Sequence, residues 1–172
     1  MLLAAARTNL LDTDKVMQAF FDGCFAAGPS NCAFYASSPE AISQNLQQIY
    51  NNVASRPISV VSNTTNTYGV VDYNFVRTYV FLGLYSPYAS FAPLAQSLAA
   101  LSKGDGRPFW DYVQSTGTSS LLSQQQMLET GIVCNDGNLI PGTVEDAEAY
   151  FNDLKQTSQF ADVGATIRLI CS

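Results

Sequence analysis

Apolar residues recur at helical spacing through most of this 172-residue chain, and this periodicity constrains its fold more than any other feature. The clearest stripe consists of Ile42, Leu46, Ile49 and Val53. Residues three or four positions apart share one face of an α-helix, so the stripe predicts a helix packed against a core. Ser38 precedes it as a typical helix start, because a serine side chain caps free backbone N–H groups.

The same spacing predicts further helices along the chain. They are expected around the apolar positions 16–24, 76–84 and 94–101, in shorter pieces at 109–113 and 121–130, and in two C-terminal stripes. After a capping Thr143, the first stripe contains Val144, Ala147, Phe151 and Leu154, and the second contains Phe160, Val163, Ile167 and Ile170.

A β-hairpin is expected where apolar runs at 58–61 and 68–71 flank the polar turn 62–67. The sequence therefore predicts a mostly α fold, with about six to eight helices and one short β-hairpin. A chain of this length favours one domain. We assign that domain to residues 9–172, after a poorly defined N-terminal extension at residues 1–8.

The four cysteines are Cys24, Cys32, Cys134 and Cys171. They form no C-x-x-C pair and the chain has no histidine, so disulfides are favoured over a zinc site. The sequence alone allows three pairings. Joining the nearest neighbours in the chain gives Cys24–Cys32 and Cys134–Cys171, and four buried free thiols in a cytosolic protein are the alternative.

A second feature that favours an extracellular location is Asn63-Thr64-Thr65, an N-glycosylation sequon in a polar turn. The N-terminus by itself predicts no export signal. Its apolar stretch, Leu2–Ala6, is shorter than the roughly 7–15 residues that a signal peptide requires, and no basic residue precedes it. We therefore expect secretion of a parent protein, with its signal outside this chain.

Charged residues make up only 13% of the chain, against roughly 25% in a typical soluble domain. Two explanations remain open: a partner, domain or glycan covers part of the surface, or the surface is the polar uncharged kind common in secreted proteins. The net charge of −6 and the scattered basic residues predict no nucleic-acid binding. No apolar run reaches the roughly 20 residues of a membrane span, so no membrane partner is expected.

Residues for common catalytic chemistry are missing from the sequence. Without histidine, no Ser-His-Asp or Cys-His arrangement can form, and the G-x-S-x-G nucleophile elbow is absent as well. No phosphate-binding loop or metal-ligand spacing occurs, so we expect no cofactor and no metal. The chain is therefore not expected to be an enzyme on its own.

Several motifs, in their order and spacing, resemble the cap region of fungal secreted tripeptidyl-aminopeptidase-like α/β-hydrolases. The matching stretches are Ala19–Cys24, Ala26–Phe34, Leu84–Ala95, Val133–Asp136 and Ile167–Ser172. In that family the cap is a helical insertion between the serine elbow and the catalytic acid and histidine. Neither flank is present here, so the resemblance transfers no catalytic residue.

The resemblance implies a cap that covers an active site and shapes a pocket for peptide or ester substrates, with the missing α/β-hydrolase core as its partner. It also supports both disulfide pairings given above. Tyr85, Tyr88 and Phe91 are our candidates for the pocket, because their rings lie beside two prolines at a helix junction. Ordinary core packing is the alternative for each ring.

Three hypotheses follow from the sequence. The leading one is a cap fragment of a secreted hydrolase that is inactive alone. The alternative is a free-standing, disulfide-stapled helical protein that binds a partner and derives from such a cap. The third is that the gene model is truncated and the real product is the whole serine hydrolase.

Overall fold

The computed structural model describes residues 10–116 and 142–169. These residues form seven helices and one antiparallel hairpin, so the expected mostly α fold with a short hairpin is confirmed. The elements are α1 Thr13–Ala27, α2 Pro39–Ser55, β1 Ile58–Ser62, β2 Thr67–Val71, α3 Tyr73–Gly83, α4 Pro87–Leu101, α5 Arg107–Ser115, α6 Val144–Lys155 and α7 Ala161–Leu169. None of these described helices is both long and apolar enough to cross a membrane.

Contacts divide the chain into two compact units, one of them Val16–Ser119 and the other formed by Met1–Lys15 together with Ser120–Ser172. Their described parts are called here the central unit (residues 16–116) and the terminal unit (residues 10–15 with 142–169). The assignment of residues 9–172 to one domain stays a prediction, because two compact units can belong to one domain.

The core of the central unit is built from the stripes that the sequence predicts. Every member of the α2 stripe is buried, and the Ser38 hydroxyl accepts a hydrogen bond from Ala41 N at 3.2 Å as the expected cap. The largest fully buried side chains around it are Met17, Phe20, Leu94, Leu98 and Phe109. Burying a side chain of this size stabilises the fold by roughly 1.5–3 kcal/mol, so these contacts hold the helices in place.

The hairpin has one buried and one exposed face. Its register pairs Val60 with Gly69 and Val61 with Tyr68. Gly69 is required, since a Cβ there would lie 2.1 Å from Cη2 of Trp110. The Trp110 ring therefore lies directly on the strand, and its Nε1 donates to Oγ1 of Thr67 at 2.9 Å.

The Cys24–Cys32 disulfide is present, with the two Cα atoms 5.3 Å apart. It joins the end of α1 to the turn that follows, where Gly28 has a φ of +74°. This pairing is confirmed. Cys134 and Cys171 lie outside the described residues, as does the helix expected at 121–130.

In the terminal unit, Asp14 holds the turn that precedes α7. Its carboxylate accepts hydrogen bonds from Ser158 Oγ at 2.6 Å and from Gln159 N at 3.1 Å. Gly164 of α7 lies against Leu10, since an added Cβ would come within 2.8 Å of Leu10 Cδ1. A small residue on α7 therefore allows Leu10 to pack closely.

The buried faces of α6 and α7 differ from those predicted. Thr143 caps α6 as expected, but Val144 is 72% exposed, and Tyr150 and Leu154 are the buried residues of that helix. Val144 is the first residue of α6. Phe160 is buried, although it lies one residue before α7 begins.

The predicted stripe of α7 is buried only in part among the described side chains. Val163 is only half-buried, whereas Ala161, Gly164 and Ala165 face the core. Among the described side chains of α7, the buried ones are small, and Gly164 admits Leu10. The side chain of Ile167 and all of Ile170 lie outside the described residues.

Candidate functional site

The junction between α3 and α4 in the central unit brings the predicted pocket region together. Asp72 begins α3, because its Oδ1 accepts a hydrogen bond from Phe75 N at 2.8 Å. The helix ends at Gly83, and the chain turns at Ser86 into α4. The buried Ser90 hydroxyl is shared between the carbonyl oxygens of Gly83 and Ser86, so it fixes the angle between the two helices.

A cavity of about 210 Å³ opens between α3, α4 and α5 beside this junction. Its lining consists of Tyr79, Leu82, Gly83, Ser86, Ala89, Ser90, Tyr112 and Thr116. Pockets for drug-sized ligands measure about 300–1,000 Å³, so this one is suited to a single side chain and not to a whole ligand. The lining is mainly apolar, which favours an aliphatic or aromatic group.

Two phenol groups give the pocket its polar chemistry. Burial raises the pKa of Tyr79 and of Tyr112, because the charged phenolate loses its hydration there. Both hydroxyls therefore stay neutral at physiological pH. They can donate or accept a hydrogen bond, but they cannot act as general bases near neutral pH.

None of the three aromatic residues predicted for a pocket lines this cavity. Tyr88 is fully exposed, and Tyr85 is 67% exposed with its ring edge against Phe81 at 5.5 Å. The Phe91 ring is half-buried and meets the buried Phe20 edge to face at 5.1 Å. Phe91 thus makes the contact expected of a core residue. A role in substrate contact stays a prediction for all three rings.

The sequence reasoning missed Tyr79 and Tyr112, which lie 33 positions apart and meet only through tertiary packing. A signal was nevertheless present in the sequence. The small residues Ser86, Ala89 and Ser90 repeat on the first turns of α4, where bulky side chains would have closed the space. Small residues at a helix junction predict either close packing or a cavity.

Two polar depressions lie beside α2 in the central unit. One is lined by Asn45, Gln48, Asn52 and Lys103, and the other by Asn52 and Arg56. Arg56 is the first residue after α2 and Lys103 the second after α4, positions where a positive charge offsets the helix dipole. This local role accounts for the charges without a ligand.

The described residues contain no cluster of three or more histidine, cysteine, aspartate or glutamate side chains that could hold a metal ion. No family model matches the chain, and searches of the curated proteins and of the solved structures found no match either.

Proposed function

We propose that this chain is the substrate-shaping cap of a secreted α/β-hydrolase and is not catalytic by itself. One observation carries the proposal. The stretch Leu84–Ala95, whose sequence resembles such a cap, forms the helix junction that borders the apolar pocket. The pocket and the two exposed tyrosines of the same stretch would face substrate in the assembled enzyme.

The chemistry of the pocket supports a role in binding and not in reaction. Its hydroxyl groups belong to serines, threonine and neutral tyrosines, and no imidazole exists in the chain to activate any of them. A side chain held there would lose its water shell, with a gain of roughly 25 cal/mol for each Å² of apolar surface buried. This is how a cap can discriminate between substrates.

The surface around the pocket also supports a docked partner. Tyr88 has no protein cover at all, and Tyr85 has little. Tyrosines are enriched at protein interfaces, because the ring is apolar and its hydroxyl can form hydrogen bonds with protein or water. In the proposed enzyme these rings would contact the hydrolase core or the substrate at the mouth of its active site.

The most decisive test is to sequence the complete transcript of this gene. The proposal expects an in-frame G-x-S-x-G motif upstream of the region encoding this chain, and an aspartate and a histidine of the catalytic acid–base pair downstream. Stop codons that close the reading frame immediately on both sides would overturn it.

An activity test on the purified chain complements the transcript. We expect neither labelling by a fluorophosphonate probe nor turnover of aminoacyl or ester substrates, because the nucleophile and the histidine lie elsewhere. Labelling at any serine of the chain would contradict the proposal. The same probe should label the full-length product at the serine of its G-x-S-x-G motif.

A free-standing, disulfide-stapled binding protein is the second candidate. Its supporting observation is that the central unit has its own buried core around Phe20, Leu98 and Phe109, held in part by the Cys24–Cys32 disulfide. A monomeric chain that unfolds cooperatively and binds no apolar dye favours this candidate. Aggregation and strong dye binding favour the cap, whose exposed face needs its partner.

A further inference from the structure

The turn of the hairpin carries the only N-glycosylation sequon in the sequence. The register pairs Ser62 with Thr67, so residues 63–66 form the loop between the strands, and Asn66 has a φ of 52°. Asn63 and Thr64 are both exposed at this tip. A glycosylating enzyme needs an accessible, protruding acceptor, and a hairpin tip in a secreted protein provides one.

Hydrogen bonds within the turn hold the sequon threonine in place. Thr65 N donates to Ser62 Oγ at 3.2 Å, and the hydroxyls of Thr65 and Thr67 lie 2.7 Å apart. Among the described residues, the Asn63 side chain makes no hydrogen bond to the protein. Its amide nitrogen is therefore available to accept a glycosyl group.

The exposed face of the hairpin next to this tip is apolar. Val61 and Tyr68 lie opposite each other in the register and are 72% and 83% exposed, with Val70 beside them at 48%. The exposed face of a sheet is ordinarily polar, so we expect another group to cover these three apolar side chains. Alternation along β1 places Val61 outward, and Asn63 follows two residues later, about 7 Å further along the chain.

We propose that Asn63 carries an N-linked glycan and that its first N-acetylglucosamine covers Val61 and Tyr68. The donor is a polyprenyl-diphosphate-linked oligosaccharide. The Asn63 amide nitrogen forms a bond to the sugar C1 and loses one proton, while the bond from C1 to the diphosphate oxygen breaks and polyprenyl diphosphate leaves. The C–H groups on one face of the sugar ring then pack on the Tyr68 ring through dispersion.

A covering sugar also agrees with the composition of the chain. The low content of charged residues allows a glycan as the cover of an otherwise weakly hydrated surface. The inference requires passage through the secretory pathway, but it does not depend on the proposed role as a hydrolase cap.

Occupancy is tested by secreting the whole chain from a yeast host behind a secretion signal and mapping its peptides by mass spectrometry. We expect a glycopeptide that contains Asn63, which peptide N-glycosidase F converts to a peptide with aspartate at this position. Thr65→Ala should abolish the glycan, and Thr64→Ala should leave it intact as the matched control. A secreted, folded chain without a glycan at Asn63 overturns the inference and leaves the cap proposal standing.

The covering role is tested by comparing three forms of the secreted protein. One form is untreated, one is trimmed by endoglycosidase H to a single N-acetylglucosamine, and one is stripped by peptide N-glycosidase F. Tetranitromethane should nitrate Tyr68 several-fold faster in the stripped form than in the other two, while the fully exposed Tyr88 reacts equally in all three.

The Asn63→Gln variant serves as a second sugar-free form, without the charge that the stripping enzyme introduces. Its Tyr68 should react as fast as in the stripped protein. Equal nitration of Tyr68 in every form would show that the sugar does not lie on the ring, and would overturn the covering role.

Discussion

The hairpin and the α3–α4 junction each place a glycine where a helix approaches, but the two regions use the space differently. At Gly69 the Trp110 ring fills the space completely, and an added Cβ would lie 2.1 Å from it. At Gly83 an added Cβ would lie 3.4 Å from Leu94 Cδ2, which is ordinary contact, and a cavity of about 210 Å³ opens beside it.

The difference separates a structural contact from a candidate binding site. The hairpin contact is closed, and its one polar group, Trp110 Nε1, is paired with Thr67 Oγ1. At the junction, the buried Ser90 hydroxyl donates to the carbonyl oxygens of Gly83 and Ser86, and an apolar space remains open beside it. The space at the junction is open on one side and mainly apolar, so an apolar group would lose contact with water on entering it.

The largest effect is expected for Gly69→Ala. The new Cβ has to displace the Trp110 ring and disturb its hydrogen bond to Thr67, so the free energy of unfolding should fall by about 2–4 kcal/mol. Urea denaturation measures this loss. Gly23→Ala is the matched control, because nothing lies within 4 Å of its new Cβ in α1, and it should stabilise by roughly 0.5–1 kcal/mol.

A smaller loss is expected for Thr67→Val. This change keeps the shape of the side chain but removes the hydroxyl that accepts from Trp110 Nε1 and also bonds to the Thr65 hydroxyl, at a cost of about 1–2 kcal/mol. Urea denaturation should show an unchanged slope with a lower midpoint. Equal stability of variant and parent would mean that the hydrogen bond is replaced by water at no cost.

For Gly83→Ala we expect a change in unfolding free energy of less than about 1 kcal/mol in either direction. The gain in helix propensity offsets a contact at 3.4 Å, which needs little adjustment. A loss as large as that of Gly69→Ala would contradict the distinction between the closed and the open region.

The sequence predicted the closed region better than the open one. The hairpin strands of the closed region rest on a local signal, two apolar runs that flank a polar turn, just as α2 rests on its stripe and the Ser38 cap. The pocket depends on Tyr79 and Tyr112, which approach only when three helices pack, and no local pattern encodes that approach. The approach of Leu10 to Gly164 of α7 was missed for the same reason, since the two residues are distant in the sequence.

The smallest expected effect is a fall in the free energy of unfolding at alkaline pH. Burial raises the pKa of Tyr79 and Tyr112 above the ordinary value of 10.0. Below pH 10 both tyrosines are protonated in both states, and their stabilising contribution is fully present. As the pH rises through 10, the tyrosines of the unfolded state release their protons first. The free energy of unfolding therefore falls until the pH passes the raised pKa values of the folded state.

The double variant Tyr79→Phe/Tyr112→Phe should lose less stability over this alkaline range than the parent chain. Thermal unfolding midpoints measured at neutral pH and above pH 10 give the comparison. Identical pH dependence of the two proteins would show that the two phenols are as well hydrated in the folded state as in the unfolded one.

The central claim is that the space at the α3–α4 junction receives an apolar side chain of a ligand. The direct measurement is a ¹H–¹⁵N NMR titration of the purified chain with N-acetyl-leucine amide and N-acetyl-phenylalanine amide, and with N-acetyl-glycine amide as the probe without a side chain. We expect the leucine and phenylalanine probes to shift the amide resonances of Tyr79, Ser90 and Tyr112. These shifts should disappear in Ala89→Phe, whose new ring fills the pocket, and should remain in the control Ala92→Phe, one turn away. Shifts that survive Ala89→Phe, or that are as large with the glycine probe, would contradict it.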